Sequence, residues 1–587
     1  MRYLRRKDFR EKGITLVALV VTIIVLLILA GVTISLALND NGVMDKAQIA
    51  SNSYANATKD EQSMFGDMMY SIKDLTMPTE NYDKKRDVNA PVLKQGMTPV
   101  KFESGEIVTT TEEDENWYDY DTQKWANAQT EDGSLWVWIP RYAYQVKYYT
   151  DANLTTPSET KTNNGKMDIK FLVDTSDMYY NDDNTTGTAK RCNSEDETVD
   201  TTTGYTVHPA FTNESSINFR NGGWDSEIPG IWVAKFEAGY ANATEAGTEM
   251  LNDVKVLSAD NKNTAPIKAS SVNYSNYNSV VYAPKLEVQG ENPNATADGS
   301  ISARNWQDGV YGSTPTAIKY PTFQGSTYSM NYINHGESYA IASKLTEPEN
   351  IYGLGNDTDS HLMKNSEWGA VAYLAQSQYG FIGAGQTNIM VNTKNLNNGG
   401  VSTTKADGNN KASVYAVTGY NNANKEWNNG GENASTTSNI YGIYDMSGGV
   451  WERTPGYIAV AQTNLSRYGG EIGYSNNTLK TVSTKYTTAY KVGTSNNNQK
   501  NWEANQKIYG DGVCETSING NTSNSSWNKD YSYFPNSSIP LFVRGGSWGG
   551  GVSAGVFAFC HNHGYSAYHN GFRSVLVWVS PLCFPCP

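Results

Sequence analysis

Residues Arg544 to Leu576 read RGGSWGGGVSAGVFAFCHNHGYSAYHNGFRSVL. Two fixed-looking frames bound the stretch, Arg544-Gly545-Gly546-Ser547-Trp548 at its start and Asn570-Gly571-Phe572-Arg573 near its end. Between the frames no helical or strand period holds. The residues there are mostly Gly, Ser, Ala, Phe, Cys, His, Asn and Tyr, and three of the chain's six histidines (His561, His563, His569) fall among them. A packed core does not need that mixture. A contact surface can use it, because Tyr, Ser, Gly and Asn combine rigid aromatic area with adaptable hydrogen bonding. Gly545, Gly546 and Gly571 suit sharp turns and close backbone approach. Arg544 and Arg573 are candidates to pair with buried carboxylates such as Asp445 or Glu452.

The frames carry a resemblance. R-G-G-S-W followed by N-G-F-R resembles the C-terminal signature of the formylglycine-generating-enzyme branch of the C-type-lectin fold. Ile440 to Glu452, IYGIYDMSGGVWE, resembles that family's G-L-Y-D-M-x-G-N-V-W-E. Asp359 to Gly369, DSHLMKNSEWG, resembles its R-L-P-T-E-A-E-W-E helix. The three lie in the family's order, and its core would cover 135–576. The stretch between the frames resembles one subgroup, the variable proteins of diversity-generating retroelements, in which Asn codons of a template are altered at adenines during copying. Gly550, Ser553, Phe559, Cys560, His561, His563, Tyr565, Tyr568 and His569 are all reachable from an Asn codon in this way. Asn562 and Asn570 could be unaltered. With Trp548, these residues are the ligand-binding set that the resemblance implies. Arg544, Gly545, Gly546, Gly571, Phe572 and Arg573 are its scaffold. The same stretch also reads as an ordinary fixed loop.

The expected fold is α+β: an N-terminal transmembrane, pilin-like helix followed by an irregular, loop-rich lectin-like domain. Arg2, Arg5, Arg6, Lys7, Arg10 and Lys12 precede the uncharged run Ile14 to Leu38. As a helix that run would span about 37 Å, more than the roughly 30 Å hydrocarbon layer. The positive flank should stay inside, placing the rest of the chain outside the cell. The junction Lys12-Gly13-Ile14-Thr15-Leu16 resembles a type IV prepilin leader, cut between Gly13 and Ile14. Ala18 stands where the pilin pattern has Glu, which argues against filament assembly and for a pseudopilin-like anchor. A simple uncleaved anchor fits the same residues. Residues 39–75 have helix-compatible spacing and read as a stalk. Residues 76–99, with Pro78, Pro91 and Pro99, read as a linker. The lectin-like domain is expected over 100–580, with a tail at 581–587.

Within the head, Trp136 to Tyr142 and Ile231 to Glu237 read as strands, rich in aromatic and β-branched residues. Ser366 to Leu374 is the best helix candidate, and Tyr415 to Thr418 and Tyr457 to Val460 read as short strands. The segments 153–203, 242–300, 395–437 and 463–526 are rich in Asn, Ser, Thr and Gly. They read as insertions or long loops.

Composition bounds the function. Charged residues make up 18% of the 587, the net charge is −14, and no basic run follows the N-terminus. That argues against nucleic acid as a partner. The 39 tyrosines and 14 tryptophans suit a β- and loop-rich extracellular protein. Five cysteines (Cys192, Cys514, Cys560, Cys583, Cys586) give no readable disulfide framework. Formylglycine generation uses a close pair of reactive, copper-binding cysteines, and Cys560 has no such neighbour. A sulfoxide-synthase-like enzyme needs a His cluster, and no H-x-x-x-H-x-E occurs. Cys560, His561, His563 and His569 are residues that zinc or copper accepts, but their spacing matches no standard site. No phosphate loop occurs. The expectation is therefore a surface-displayed receptor or adhesin without catalytic residues, metal or cofactor. Its partners would be a protein or glycan ligand on another cell or on a phage or host surface, the membrane through 14–38, and pilus-type assembly machinery. A minor pilin or pseudopilin component, or an oxidoreductase of the two types above, are the alternatives. The histidines predict altered binding near about pH 6, where an unperturbed imidazole gains charge.

Overall fold

A computed structural model describes residues 81–191, 200–213, 223–244, 255–257, 280–282, 321–330, 335–348, 350–387, 389, 418–419, 426–460, 485–547, 553–564 and 569–578. Along the chain come strands β1 (Met97–Glu103), β2 (Glu106–Thr109), β3 (Asn127–Thr130), β4 (Leu135–Pro140), β5 (Tyr142–Tyr149), β6 (Gly165–Phe171), β7 (Thr206–Val207) and β8 (Gly230–Ala234). Helix α1 (His335–Ala342), strand β9 (Thr358–Leu362) and helix α2 (Asn365–Ala375) follow. The C-terminal part holds β10 (Trp451–Ile458), β11 (Thr488–Tyr490), helix α3 (Asn498–Ala504), β12 (Asn521–Thr522) and β13 (Ser532–Tyr533). It ends with β14 (Leu541–Arg544), β15 (Phe559–Asn562), β16 (Asn570–Phe572) and β17 (Ser574–Trp578).

Two seven-stranded sheets organise these elements. The first has the order β9-β17-β8-β4-β3-β1-β2, with every pairing antiparallel. Its inner strands are apolar almost throughout. Every residue of β4, LWVWIP, and of β8, GIWVA, is buried. Such runs are what a strand covered on both faces requires. Trp138 lies opposite Trp232 across the β4–β8 pair, with ring centroids 5.3 Å apart. The second sheet has the order β11-β10-β14-β15-β13-β12, and β16 joins β10 in parallel. Behind it, Phe534, Phe542, Phe559, Tyr490, Trp502, Ile508 and Val513 form a core of their own. A smaller sheet pairs β5 with β6 and β7.

Helix α2 is buried along all eleven residues, as expected for a helix packed on every side. The Glu367 carboxylate accepts from the Lys364 N–H at 2.8 Å and so satisfies one open N-terminal donor. Glu367 also meets the Lys364 ammonium at 3.4 Å and His361, whose Nε2 lies 2.9 Å from Oε1, while Nδ1 meets Asp359 at 2.8 Å.

The structure corrects several expectations. The fold is mainly β rather than α+β: among the described residues the α-helices are three, of eight, eleven and seven residues. Aromatic and β-branched residues alternating at period two build sheet wherever they recur, and only α2 has enough continuous burial to support a longer helix. Among the described residues no helix is long and apolar enough to cross a membrane. The single-pass, transmembrane and pilin-like placement with an extracellular head therefore has no support in the structure. Gly13, Ile14, the run 14–38 and the stalk 39–75 lie outside the described residues. The supposed linker 76–99 contains a hairpin, Tyr82–Asp83 with Val88–Asn89, and the start of β1. Pro99 sits inside β1, where its carbonyl accepts from the Thr110 N–H at 2.9 Å. The segments 153–203 and 463–526 are not simply loop. The first supplies β6, and the second supplies β11, α3, β12 and much of the core behind sheet two.

Candidate C-terminal binding face

The frame residues lie inside the molecule. Arg544, on β14, is fully buried. Its guanidinium donates to Asp511 O (2.8 Å), Gly512 O (2.9 Å) and Ala558 O (3.1 Å). Burial pushes its pKa down to about 10, so it stays charged at neutral pH. Gly545 and Gly546 follow at φ +84° and +80°. A Cβ on Gly546 would stand 2.5 Å from Ala554 Cα, so this turn admits only glycine.

At the other end, the chain leaves sheet two at Phe572 and enters sheet one at Ser574. Arg573, at the crossing, is also fully buried. It holds Glu452 through two hydrogen bonds of 2.9 and 2.6 Å. It also donates to Ala234 O and Tyr444 O, each at 2.7 Å, and so ties both sheets together. Of the two carboxylates read from the sequence as Arg partners, Glu452 pairs with Arg573. Asp445 instead accepts from the Gly419 N–H, at 2.9 and 3.0 Å. Burial pushes Asp445 up to about 7, against the pull of Arg573. Glu237 is buried beside them, accepting from Ser329 Oγ and from Val450 N–H at 3.0 Å. Burial, with Asp445 and Glu452 adding to it, holds its carboxyl far above the usual range. Three carboxyls thus lie close together while Arg573 acts on two of them, Glu452 and Asp445, an arrangement that favours keeping a proton inside.

Between the frames the side chains divide. Phe559, on β15, is wholly buried against Phe534 and Phe542, and Asn570 is buried on β16. Neither belongs to a contact surface, which corrects their place in the expected ligand set. Ser553, Cys560, His561, Asn562, His563 and His569 are half-buried. Trp548, Gly550, Tyr565 and Tyr568 lie outside the described residues.

Beside β15 runs a row of half-buried rings that the sequence reading missed. Trp451 meets Tyr531 edge-on at 5.9 Å. Tyr531 lies over Tyr533 at 4.8 Å, and Tyr533 meets His561 at 5.7 Å. Tyr531 and Tyr533 flank Ser532 in a Y-S-Y alternation, a period-two signal just beyond the segment read as loop. The Tyr531 N–H donates to Ser553 O at 2.9 Å, joining the start of the variable-looking stretch to this row.

Two contacts fix polar groups on the face. Asn498 Nδ2 donates to His561 Nδ1 at 2.7 Å, and Asn498 Oδ1 accepts from Asn536 at 2.8 Å. The imidazole nitrogen facing Asn498 therefore carries no proton. Burial lowers the His561 pKa, with His563 adding to the shift. Asn562 Oδ1 accepts from the buried Arg453 (2.9 Å) and from the Gly564 N–H (2.7 Å). His569 is pushed down to about 4 by burial and the nearby Arg453. These shifts place the charging of His561 and His569 below its usual range, so these two of the three histidines do not carry the expected binding change near pH 6.

Among the described residues no group of three or more His, Cys, Asp or Glu side chains is placed to hold a metal ion. Cys560 and Cys514 are free thiols, and burial pushes Cys560 up to about 12. A thiol so hard to ionise is a poor nucleophile at neutral pH. Cys192, Cys583 and Cys586 lie outside the described residues. No family model matches the chain, and no curated protein matches it.

Proposed function

We propose that this protein binds a protein or glycan ligand through its C-terminal face, and that the outward side chains of 544–573 are diversified by a retroelement. The observation that supports it is the split within that stretch. Arg544, Gly546, Phe559, Phe572 and Arg573 are interior. Cys560, His561, Asn562 and His563 stand half-buried, and the His561 ring meets Tyr533 at the end of the row that runs through Tyr531 to Trp451. Outward positions away from structural features usually tolerate exchange within about 0.5 kcal/mol, so their identities can change while the backbone is held. Aromatic anchors at the centre of a contact typically contribute about 2 kcal/mol or more each. The resemblance of the three motifs to the formylglycine-generating branch, and of the stretch between the frames to retroelement variable proteins, is part of the same proposal.

The test is to sequence the DNA around the gene in sibling clones. The expected result is a near-copy of the 544–573 coding stretch that differs only where the template has adenine, beside a reverse-transcriptase frame. Differences should fall on Ser553, Cys560, His561 and His563, and spare Phe559 and Arg573. Absence of a second copy, or differences concentrated on the interior positions, would overturn the proposal.

A further inference from the structure

A second, independent site opens away from the variable-looking stretch. A cavity of about 300 Å³ is lined by Tyr148, Lys161, Asp200, Thr202, Lys507 and Glu515, among others. It brings together the end of β5, the turn between β5 and β6, the turn before β7, and the chain that follows α3.

The hydrogen bonds around it are unevenly distributed. The Glu515 carboxylate already receives the Tyr144 hydroxyl (3.0 Å), the Tyr373 hydroxyl (2.7 Å) and the Gly510 N–H. Its backbone carbonyl accepts from Tyr148 Oη at 2.9 Å. Asp200 receives Thr202 N–H (2.9 Å), Thr202 Oγ1 (2.6 Å) and Thr203 Oγ1 (2.6 Å). The acidic oxygens of the pocket are thus engaged by protein donors.

Lys161 differs. An ammonium has three N–H donors. The protein partners of Lys161 Nζ are two neutral oxygens, Gln506 Oε1 at 3.0 Å and Cys514 O at 2.5 Å. The indole of Trp502 lies below it at 5.1 Å. Lys161 is thus a half-buried cation with no carboxylate in its hydrogen-bonding shell and one donor direction left for a ligand. Lys507 adds a second, exposed cation to the rim. The two carboxylates of the pocket, Asp200 and Glu515, accept from other donors, and neither reaches Lys161 Nζ as a hydrogen-bond acceptor. The hydroxyls of Tyr148 and Thr202 and the ring of Tyr509 complete a wall that suits a hydroxyl-rich molecule. The volume is at the lower end for small-molecule sites.

We infer that this pocket binds an acidic monosaccharide, its anionic group against Lys161 and Lys507 and its hydroxyls toward Tyr148 and Thr202. The anionic group is a carboxylate or a phosphate, and both offer the acceptor oxygens that an ammonium takes.

The experiment is isothermal titration of the full chain with three probes: glucuronate, glucose 6-phosphate and glucose. Saturable binding of at least one acid is expected, with glucose weaker by roughly tenfold or more, the size of one charge-assisted hydrogen bond. Which acid binds tighter assigns the carboxylate or the phosphate. Lys161→Met should weaken the preferred acid by about tenfold or more. Lys507→Met, at an exposed position, should weaken it by a smaller factor. Binding of glucose equal to the acids, no saturation by either acid, or unchanged affinity in both lysine variants would overturn the assignment. Loss in Lys507→Met alone also supports it where Lys161→Met fails to fold.

Discussion

The two seven-stranded sheets are built on different physical terms. Sheet one is held by continuous apolar strands covered on both faces, with Trp136, Val137, Ile139, Ile231 and Val233 almost wholly buried. Sheet two has its larger apolar core on the side of Phe542 and Phe559, with a small cluster of Leu541 and Tyr457 on the other. Its other side carries the half-buried ring row, and its ends are fixed by the buried guanidiniums of Arg544 and Arg573. The first sheet uses the hydrophobic effect, which tolerates similar shapes. The second uses directional contacts, which tolerate no loss of a partner but leave the outward side chains uncommitted. A sheet of the second kind suits a surface whose residues change.

The largest effect that could break this contrast lies at Arg573. Arg573→Met removes five donors and leaves Glu452 buried without its partner. Losing one member of a buried pair typically costs about 3–5 kcal/mol. Urea unfolding should show a loss of that size. A loss under about 1 kcal/mol would mean that sheet two does not depend on its charged staples. Next comes Gly369, on α2, where an added Cβ would lie 2.0 Å from Gly510 O. Gly369→Ala should destabilise by about 1–3 kcal/mol through overpacking, although alanine is the better helix former. A neutral or stabilising result would show that the Gly510 loop yields.

A smaller effect follows from the buried charges. Asp445 titrates at about 7 in the folded chain against 3.8 unperturbed. A raised carboxyl gives stability that is whole below the unfolded value and is lost as pH rises through the folded one. Asp511 and Asp530, pushed up by burial to about 6 and about 8, act in the same direction. His361 does too. Burial opposes its charge, but Glu367 and Asp359 raise it to about 9, so its contribution is present below 6.5 and lost toward 9. Above the range where the buried histidines His208, His335 and His569 act, unfolding free energy should therefore decline between about pH 6.5 and pH 9, and Asp445→Asn should flatten the lower part of that decline. A free energy that climbs over this range would contradict the assignment. On the acid side, His569 at about 4 gives the reverse sign, with stability present above 6.5 and lost as pH falls.

The smallest effect is expected on the outward face. Cys560→Ser should shift stability by no more than about 0.5 kcal/mol, and His561→Asn by no more than about 1.5 kcal/mol, the size of its hydrogen bond from Asn498. A loss of 2 kcal/mol or so at either would place these side chains in the framework and remove the contrast between the sheets.

The sequence was readable where local pattern and burial agree. Trp136 to Pro140 and Ile231 to Ala234 are strands, and Ser366 to Leu374 lies within α2. The Glu452 partner of Arg573 could be named because two motifs supplied the charges. Reading failed where composition masked pattern. β6, GKMDIKF, buries every second residue, yet it sits in an Asn- and Thr-rich stretch. Trp502, Ile508 and Val513 looked like scattered apolar residues in a loop, because the core they form depends on partners from 534 to 559. Tyr531 and Tyr533 were missed on the candidate face for the same reason, since only the fold brings Trp451 and His561 beside them. Phe559 was assigned outward because its residue type fitted the codon pattern. Nothing local tells that β15 turns this ring into the core.

The position of β17 constrains how the molecule can be made. Ser574–Trp578 pairs between β9 and β8, so the sheet that begins at Met97 is left open until its last strand leaves the ribosome. Pairings of such long sequence separation fold slowly, and waiting edges are prone to aggregate. A shift of reading frame anywhere between 553 and 570 would replace β16, Arg573 and β17 together. Every chain that completes sheet one has therefore been translated in frame through the stretch before it, and folding itself acts as a proofreader of that stretch.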